Sequence, residues 1–463
     1  MHTALRWTLE AAIVLVIASG CAVAHETEEE YDERRLRVVM DRPVSGEATF
    51  IGFYDPELDD RCAPRLTEDG VLRCVPDNPL GHLSRNYGDP TCTEQVDVGV
   101  RPCPTRYVVE TAFPDACGAP SYARVFEVGE EVETTIYQRS ATGECRPVTY
   151  ETARRLTLIS PRRMVRGELE LGSGPNRLVA DTIAWADGTR GPAQIRDTAR
   201  GEACTIAYAW NGEGPAVCSP PSTAWERSFG SECAERWAQA ARHRCPPSSG
   251  DPVVRTECES VSVGVVGAEV PAAERDTAPG CSLGYDGQAV YSVHPAPEGL
   301  LPSLRIELRG EGRLQRRVWV DEDGGEWIAL GYHDSELGID CLGRSWAHGR
   351  CVPMSMGVNF DGDRFFADER CTEPATVRTD GSCIVNEYAW HGSCAHIQST
   401  TSPSTGAEPP RLYRVGEPLT GPLYERDETT GACGPHHFGD DVFLFRLEPV
   451  DLETLAEVHR VRE

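Results

Sequence analysis

Along the chain, short stretches in which apolar and polar residues alternate are separated by turns rich in Gly, Pro and Asp. In Arg305-Ile306-Glu307-Leu308, for example, every second side chain is apolar, which is the period of a strand with one buried face. Eight segments rich in Val, Ile, Tyr, Phe and Trp are predicted as strands: Leu36 to Met40, Thr49 to Tyr54, Arg106 to Glu110, Thr134 to Tyr137, Leu304 to Leu308, Arg317 to Val320, Trp327 to Tyr332 and Val442 to Leu447. Helical periodicity is nearly absent apart from a short predicted helix at Ser231 to His243, so the predicted class is all-β.

One pattern occurs twice in clear form and once in weaker form. Gly52 to Val98 and Gly331 to Val377 share an Asp seven residues before a Cys, Glu-Leu between the two, and then Arg-Cys-Val-Pro and Cys-Thr-Glu. A degenerate middle copy keeps Asp197 before Cys204 but loses Glu-Leu. A pattern repeated within one chain indicates a repeated structural unit. The predicted β repeat units are residues 35–165, 166–303 (the degenerate one) and 304–463.

The strand count suggests how these units are arranged. Each unit of ~140 residues has room for roughly eight strands, or two four-stranded blades, so the expected architecture is a closed β-propeller of about six blades. The alternative is three disulfide-stapled β domains in tandem. The first unit lacks a strand before Leu36, whereas the third ends in one, Leu455 to Val461. We predict that this C-terminal strand pairs antiparallel with Leu36 to Met40 and closes the ring, because pairing removes two exposed strand edges.

The cysteines follow the same repeat. Of 19 Cys, setting Cys21 aside leaves three sets of six. The first set is Cys62, Cys74, Cys92, Cys103, Cys117 and Cys145. The second is Cys204, Cys218, Cys233, Cys245, Cys258 and Cys281. The third is Cys341, Cys351, Cys371, Cys383, Cys394 and Cys433.

An even number of cysteines per unit in an exported chain predicts disulfides within each unit. Sequence does not choose among the pairings of six cysteines, but the first two of each set are expected to flank one hairpin and to bond to each other. Metal ligation is disfavoured, because the gaps are long and there is no Cys-x-x-Cys pair.

The N-terminus predicts export. An apolar run from Ala11 to Ala18 is too short to span a bilayer and fits a secretory signal. The following Ser19-Gly20-Cys21 resembles the lipobox of bacterial lipoproteins, which implies that residues 1–21 are a signal ending in a lipidated Cys21. The alternative is ordinary cleavage at Ala22-Val23-Ala24.

Residues 22–34 are acidic and polar and are predicted to form a flexible tether. Ala22 after the lipidated Cys implies the outer membrane, by resemblance to Gram-negative sorting rules. The expected partner is therefore a membrane, held through acyl chains.

The net charge is −28 and all 45 basic residues are Arg. Such a surface disfavours binding to nucleic acid and anionic lipid and favours solubility outside the cell. The absence of lysine excludes Schiff-base lysines, phosphate-loop lysines and Ser-x-x-Lys nucleophiles.

The repeated Asp55, Asp197 and Asp334 are the sharpest polar feature. They have the chemistry of catalytic carboxylates, but a residue present in every repeat is better explained by the fold. We therefore expect each to cap a turn or to bond backbone amides at a strand end.

Two further groups suggest metal sites and are discounted. Half of a calcium loop without an acidic twelfth ligand is present at Asn359, Asp361 and Asp363,. A zinc-like group is formed by His391, Cys394 and His396 with His436 and His437, but Cys394 belongs to the disulfide set. There is no His-Glu-x-x-His,, and no catalytic, cofactor-binding or metal residue is assigned.

The third unit carries a characteristic array of motifs: Asp334 and Leu337 before Cys341, Arg350 to Pro353, Ala367 to Thr372, and Val415-Gly416 with Tyr424. This array resembles uncharacterised Cys-rich repeat lipoproteins of myxobacteria, and the resemblance implies location and architecture rather than an activity. Two functions remain open. One is a non-catalytic binding or structural protein at the cell surface, and the other is a secreted hydrolase with carboxylates in a propeller channel.

Overall fold

The computed structural model describes residues 34–77, 86–98, 106–112, 120–132, 135–140, 143–148, 153–208, 216–220, 224–226, 237–239, 248–256, 260–269, 290–344, 347, 349–354, 365–379, 388–391, 411–419, 421–427, 430–437 and 442–463. These ranges are built of strands, with 3-10 turns such as Pro161–Arg163 and Leu452–Thr454. The predicted all-β class is confirmed, and each of the eight predicted segments overlaps a strand. Among the described residues, no helix has the length and apolar content needed to cross a membrane.

The strands fall into alternating groups along the chain. The first group contains β1 Arg37–Pro43, β2 Thr49–Asp55, β3 Asp60–Leu66 and β4 Leu72–Pro76. It is followed by β5 Asn86–Tyr87, β6 Val96–Val98, β7 Tyr107–Ala112, β8 Tyr122–Val132, β9 Ile136–Arg139, β10 Cys145–Val148 and β11 Ala153–Leu158. The second group contains β12 Gly167–Glu170, β13 Leu178–Trp185, β14 Arg190–Asp197, β15 Glu202–Tyr208 and β16 Ala216–Ser219.

The rest of the chain repeats this alternation. Smaller strands follow: β17 Ala224–Glu226, β18 Trp237–Gln239, β19 Pro252–Thr256, β20 Val261–Glu269 and β21 Val290–Pro295. The third group contains β22 Ser303–Arg309, β23 Leu314–Asp321, β24 Glu326–Asp334, β25 Ile339–Arg344 and β26 Arg350–Pro353. The chain ends with β27 Phe365–Phe366, β28 Ala375–Thr379, β29 Tyr388–His391, β30 Arg411–Pro418, β31 Leu423–Arg426, β32 Cys433–His436, β33 Val442–Pro449 and β34 Val458–Arg462.

Each unit is built on a five-stranded antiparallel meander. The first meander has the order β34-β1-β2-β3-β4, so its edge strand comes from the far end of the chain. The second and third meanders, β12 to β16 and β22 to β26, run together as one ten-stranded sheet through the pairing of β16 with β22. Smaller sheets are inserted after the last strand of each meander, and the one in the second unit is a closed barrel of β17 to β21.

The three meanders are joined by the same backbone contact. The second cysteine of each unit donates its amide to a carbonyl just before the next edge strand: Cys74 to Val165 at 3.0 Å, Cys218 to Pro302 at 3.0 Å and Cys351 to Ala456 at 2.8 Å. Because β34 in turn pairs with β1, hydrogen bonds lead from each meander to the next and back to the first. The meanders therefore follow one another in a cyclic order.

The predicted closing strand is confirmed. β34 pairs antiparallel with β1, with Met40 opposite Val461 and Asp41 opposite Arg460. Next to these pairs, the amide of Val38 donates to the carbonyl of Glu463, and the amide of Glu463 donates to the carbonyl of Val38, both at 2.8 Å. The strand edges at the two ends of the chain are thus paired with each other.

The expected six-bladed propeller is not what the strands form. Within the described ranges, the sheets contain five, three, four, ten, five, three and four strands instead of six sets of four, because each unit divides into one meander and its inserted sheets. The tandem alternative also fails to describe the arrangement, since hydrogen bonds join successive meanders edge to edge.

The core consists of equivalent clusters between successive meanders. Leu36, Leu178 and Leu314 are each almost fully buried, at 1%, 2% and 3% exposure. The cluster around Leu36 also contains Cys62 and Cys74 and, from the second unit, the side chains of Ile183 and Trp185. The hairpin disulfide of one unit thus packs against the first strands of the next, which fixes the order of the meanders.

The predicted helix at Ser231 to His243 is wrong where the chain is described. Trp237–Gln239 is strand β18, paired with β17 on one side and β21 on the other. Pairing with these neighbours overrides the local helical pattern, as tertiary context commonly does for short segments.

Candidate functional site

The three repeated aspartates lie at equivalent points, each at the end of the third strand in its meander. Asp55, Asp197 and Asp334 are 0%, 1% and 0% exposed. Each carboxylate binds an arginine that lies 20 or 21 residues earlier, with nitrogen–oxygen distances of 2.7, 2.9 and 2.9 Å: Arg35–Asp55, Arg177–Asp197 and Arg313–Asp334. Each pair uses two nitrogens of the guanidinium, the strong and directional form of this bond.

The same carboxylates also hold the turn that follows. Asp55 accepts the amide of Glu57 at 3.0 Å, Asp197 accepts that of Ala199 at 3.0 Å, and Asp334 accepts that of Glu336 at 3.1 Å. A side-chain oxygen bonding the amide two residues ahead is the Asx-turn pattern. The prediction that these residues bond backbone amides at a strand end is therefore confirmed.

The arginines continue the network to the segment that crosses to the next meander. Arg35 donates to the Arg163 carbonyl at 2.7 Å. Equivalent bonds run from Arg177 to Leu300 and from Arg313 to Thr454, both at 2.8 Å. Each Arg–Asp pair thus connects the start of the second strand of a meander, the turn after its third strand and the exit of its inserted sheets. This geometry gives the carboxylates a structural role.

Sequence reasoning found the aspartates but not their partners. A signal was present, since Arg-Leu precedes the second strand of each meander at Arg35, Arg177 and Arg313. A constant spacing of a basic and an acidic residue across repeats would have indicated the pair.

The Arg of the Arg-Cys-Val-Pro motif has a related task. Arg73 donates to the Met164 carbonyl at 3.2 Å and to Asp69 at 2.7 Å. Arg350 donates in the same way to Leu455 at 3.1 Å and to Glu453 at 2.6 Å. The hydrogen bond from Arg73 is the main cause that lowers the pKa of Asp69 to about 2.

The predicted hairpin disulfide is present in all three units. The bonds are Cys62–Cys74, Cys204–Cys218 and Cys341–Cys351, with Cα–Cα distances of 5.1, 5.3 and 5.1 Å. They join adjacent strands of one meander.

A second disulfide recurs in the first and third units, as Cys92–Cys145 and Cys371–Cys433. All five bonds lie within their predicted sets. The remaining predicted cysteines lie outside the described residues: Cys103, Cys117, Cys233, Cys245, Cys258, Cys281, Cys383 and Cys394. Cys21, with the predicted signal, lies outside them as well.

The Cys-Thr-Glu motif forms a tight loop around an aspartate. Asp89 accepts the amides of Thr93 and Glu94 at 2.8 and 2.6 Å. Asp368 repeats this with Thr372 and Glu373 at 2.8 and 2.7 Å. Burial is the largest single effect on the pKa of Asp368 and raises it, but the hydrogen bonds from the Glu373 and Thr372 amides and the Thr372 hydroxyl together outweigh burial and lower that pKa to about 2.

The loop is completed by a cysteine in the left-handed region and by a stacked arginine. Cys92 has φ 54°, and its carbonyl accepts a bond from Arg139, which lies over the Tyr87 ring at 5.1 Å. In the third unit, Arg426 lies over the Phe366 ring at 4.5 Å and donates to the equivalent carbonyl. The sequence Tyr-x-Arg occurs at this point of both units, as Tyr137-Gln138-Arg139 and Tyr424-Glu425-Arg426, and this contact explains its arginine.

The discounted metal groups are not assembled in the described part of the chain. Five of their members lie outside it: Asn359, Asp361, Asp363, Cys394 and His396. His436 is described, and its Nδ1 lies 2.5 Å from a Glu425 carboxylate oxygen. Among the described residues, no group of His, Cys, Asp and Glu has the arrangement of a metal site.

Asp60 has a raised pKa, which the sequence did not indicate. Asp60 is half-buried at the start of β3. Burial raises its pKa to about 6, helped by the charges of Asp77 and Asp59 and opposed by the amide and charge of Arg61. Asp77 is paired with Arg61 at 2.9 Å, and Asp59 accepts a hydrogen bond from the Tyr54 hydroxyl. The two carboxylates next to Asp60 therefore have partners within the fold.

These features define a class of protein: an all-β, disulfide-linked chain in which one meander recurs in cyclic order, with a buried Asp paired to a half-buried Arg in each copy. The sequence profile of a family of unknown function, DUF7481, matches residues 35–454, and the chain belongs to that family. No curated protein and no solved structure matches it.

Proposed function

We propose that this protein is exported and lipid-anchored, and that it has a non-catalytic binding or structural role, presenting loops from a rigid β scaffold. The observation that carries the proposal is the use of the repeated residues. The Arg–Asp pair and the hairpin disulfide occur at equivalent points of all three meanders. In each, the arginine bonds a backbone carbonyl and the disulfide joins two adjacent strands. The chemistry repeated in this chain supports a scaffold.

Export is supported by the disulfides. Five bonds within repeated units are typical of proteins that fold in an oxidising compartment,. The anchor is supported by Ser19-Gly20-Cys21 after an apolar run and by the acidic tether at 22–34. In this proposal the lipidated Cys21 holds the scaffold at the outer membrane, and the tether separates it from the bilayer.

The binding role is supported by the division of each unit into two parts. The meanders share their pairing, while the inserted sheets differ: the second unit has a closed barrel, and the first and third have three- and four-stranded sheets. Variable segments on a constant framework are the usual arrangement for recognition.

The anchor is tested by Cys21→Ser in the full chain, with Ala24→Ser as a control that leaves the cysteine in place. The native chain and the control are expected in the membrane fraction, with an acylated N-terminal Cys21 by mass spectrometry. The Cys21→Ser chain should keep its repeat disulfides and lose the acyl mass and the membrane association. Membrane association of that variant at the native level, or a mature native chain that starts at another residue, contradicts the anchor.

A further inference from the structure

His333 in β24 has one ring nitrogen fixed and the other open to solvent. Its Nδ1 lies 3.0 Å from a carboxylate oxygen of Asp340 in β25. A neutral imidazole that bonds a carboxylate in this way carries its proton on Nδ1. The side chain is 26% exposed, and Nε2 is neither buried nor bonded to another group of the described chain. Nε2 therefore presents a fixed lone pair that accepts a hydrogen bond from outside.

Asp340 is itself held by a buried arginine. Its second carboxylate oxygen lies 2.9 Å from Nη2 of Arg317 in β23, whose side chain is 5% exposed. Nη1 of the same arginine lies 3.2 Å from the Met354 sulfur. Since Arg317 and Asp340 carry opposite charges, the pair needs no ionic ligand. The network fixes the direction of the His333 ring without adding a net charge.

An exposed aromatic ring lies on the same face of the sheet. Tyr208, the last residue of β15, is 42% exposed, and its ring packs on that of Trp319 with 5.7 Å between the centroids. Trp319 and Arg317 are two residues apart in β23, so their side chains leave the sheet on the same side. Leu308, which is 41% exposed, lies opposite Arg317 in β22. An aliphatic side chain thus lies between the aromatic ring and the imidazole.

The exposed members of this face are called the His333 strip: Tyr208, Leu308, His333 and Asp340. Gln315 of β23 is paired with His333, and His333 is paired with Asp340. Two residues of a strand span roughly 7 Å, so the face extends roughly 14 Å along β23 from Trp319 to Gln315. β23 and β24 each lie between two paired strands, so a peptide has no open edge to join here.

The other two units do not repeat the strip. His333 directly precedes the repeated Asp334, and Asp340 directly precedes Cys341. The corresponding residues are Tyr54 and Arg61 in the first unit and Arg196 and Ala203 in the second. The structural Arg–Asp pairs and the hairpin disulfides, in contrast, occur in every unit. A meander therefore forms without the His333 strip.

We propose that the His333 strip binds a neutral saccharide. The exposed ring of Tyr208 and the side chain of Leu308 offer apolar surface to the C–H groups of a sugar ring. Nε2 of His333 and the remaining lone pairs of Asp340 accept hydrogen bonds from sugar hydroxyl groups. A charge on the ligand is not needed, because Arg317 already neutralises Asp340. The inference rests on the binding role proposed above and names the class of its ligand.

The test measures binding to the purified full chain by isothermal titration calorimetry. The probes are the neutral trisaccharides of glucose, N-acetylglucosamine, mannose and galactose, with trigalacturonate as an acidic comparison. At least one neutral trisaccharide is expected to bind saturably at concentrations up to about 10 mM. Tyr208→Ala and His333→Ala should each raise its Kd about three- to tenfold, because each removes a packing or hydrogen-bond contact. Tyr208→Phe keeps the ring and should stay within about twofold of the native Kd.

A matched pair of variants separates binding from a general effect on the meander. Leu308 is on the strip, whereas Ile328, which is 44% exposed, is on the opposite face, because it follows Trp327, the residue paired with Trp319. Leu308→Ala should raise the Kd about threefold, and Ile328→Ala should leave it within about twofold. Both variants should keep the native Tm within about 4 °C, since exposed side chains contribute little to stability.

The proposal is overturned if no neutral trisaccharide binds saturably, if Tyr208→Ala keeps the native Kd, or if Ile328→Ala weakens binding as much as Leu308→Ala. It is also overturned if trigalacturonate binds more than about tenfold tighter than the galactose trisaccharide, because the ligand is then acidic. None of these results affects the Cys21 fractionation, so failure of this site and failure of the proposed anchor are distinguishable.

Discussion

In each meander, an Arg–Asp pair links three backbone segments: the start of the second strand, the turn after the third strand and the exit of the inserted sheets. Single substitutions test how much each pair contributes to the free energy of unfolding. In the second unit, Arg177 contacts Asp197, Gly299 and Leu300. Removing Asp197 leaves the half-buried guanidinium of Arg177 without its carboxylate, which is costly, whereas removing both partners is often close to neutral,.

Asp197→Asn is therefore expected to lower the free energy of unfolding by about 1–3 kcal/mol, less than for a fully buried pair because the Arg177 side chain is 30% exposed,. Guanidinium denaturation under non-reducing conditions measures it. The double change Arg177→Met with Asp197→Leu should recover most of the loss. Glu170→Gln, in the exposed pair with Arg190, is the control and should stay within about 0.5 kcal/mol. An Asp197→Asn chain as stable as the control contradicts the structural role.

The raised pKa of Asp60 predicts how the free energy of unfolding changes with pH. Its folded pKa of about 6 lies above the unfolded value of about 3.9, so the folded chain binds more protons between these values. The stabilising effect of this group is fully present below about pH 4 and is lost as the pH rises to 6.

Asp60→Asn removes this dependence. The variant should gain on the native chain between pH 4 and 6 and then remain about 1–2 kcal/mol more stable up to pH 8. Urea denaturation at pH 4, 5, 6 and 7 measures the difference. A constant difference across that range shows that the Asp60 carboxyl is not perturbed.

How far single residues were predictable depended on repetition. Asp55, Asp197 and Asp334 stood out because the same residue recurs before the same cysteine. Asp60 did not, because its raised pKa comes mainly from burial, which the local sequence does not reveal. Alternation patterns alone do not specify this burial.

At the scale of elements, the disulfides differ in the length of chain that they close. Cys341–Cys351 spans 10 residues across one hairpin, and Cys371–Cys433 spans 62 residues around an inserted sheet. If a disulfide acts mainly by restricting the unfolded chain, the longer loop should contribute more.

Replacing both cysteines of a pair by Ala tests this. The loss should be about 3 kcal/mol for Cys341–Cys351 and about 4 kcal/mol for Cys371–Cys433. Guanidinium midpoints of the two double variants give the order, with the native chain as reference. A larger loss for the hairpin pair indicates instead that packing of the buried cysteines dominates.

The strands were predictable and their inserted neighbours were not. Alternation identifies strands such as β22 and β24 because one face of each is buried against the preceding meander. The segment around Trp237 has a helical pattern but pairs as β18 with two strands. Short elements of this kind are set by their partners rather than by their own residues.

At the scale of the whole molecule, the cyclic order was predictable from what each end of the chain lacks. The repeat pattern predicts no strand before Leu36 in the first unit and one additional strand, Leu455 to Val461, at the end of the third. The number of blades was not predictable, because counting strands does not reveal which of them pair. The eight strands expected per unit divide between a meander and smaller sheets.

Closure by β34 is the central claim, and hydrogen exchange of β1 tests it most directly. Val38 and Glu463 form a hydrogen-bonded pair. In an antiparallel ladder every second residue bonds the same neighbour, so the amides of Val38, Met40 and Arg42 face β34 and the alternate amides face β2.

The experiment compares the full chain with one lacking residues 455–463, using exchange resolved to single amides. Val38, Met40 and Arg42 should lose protection by about a hundredfold or more in the shortened chain, while β13, the equivalent strand of the second meander, keeps its protection. If the β1 amides exchange at the same rate with and without the C-terminal strand, the meanders are not closed into a cycle and the account is wrong.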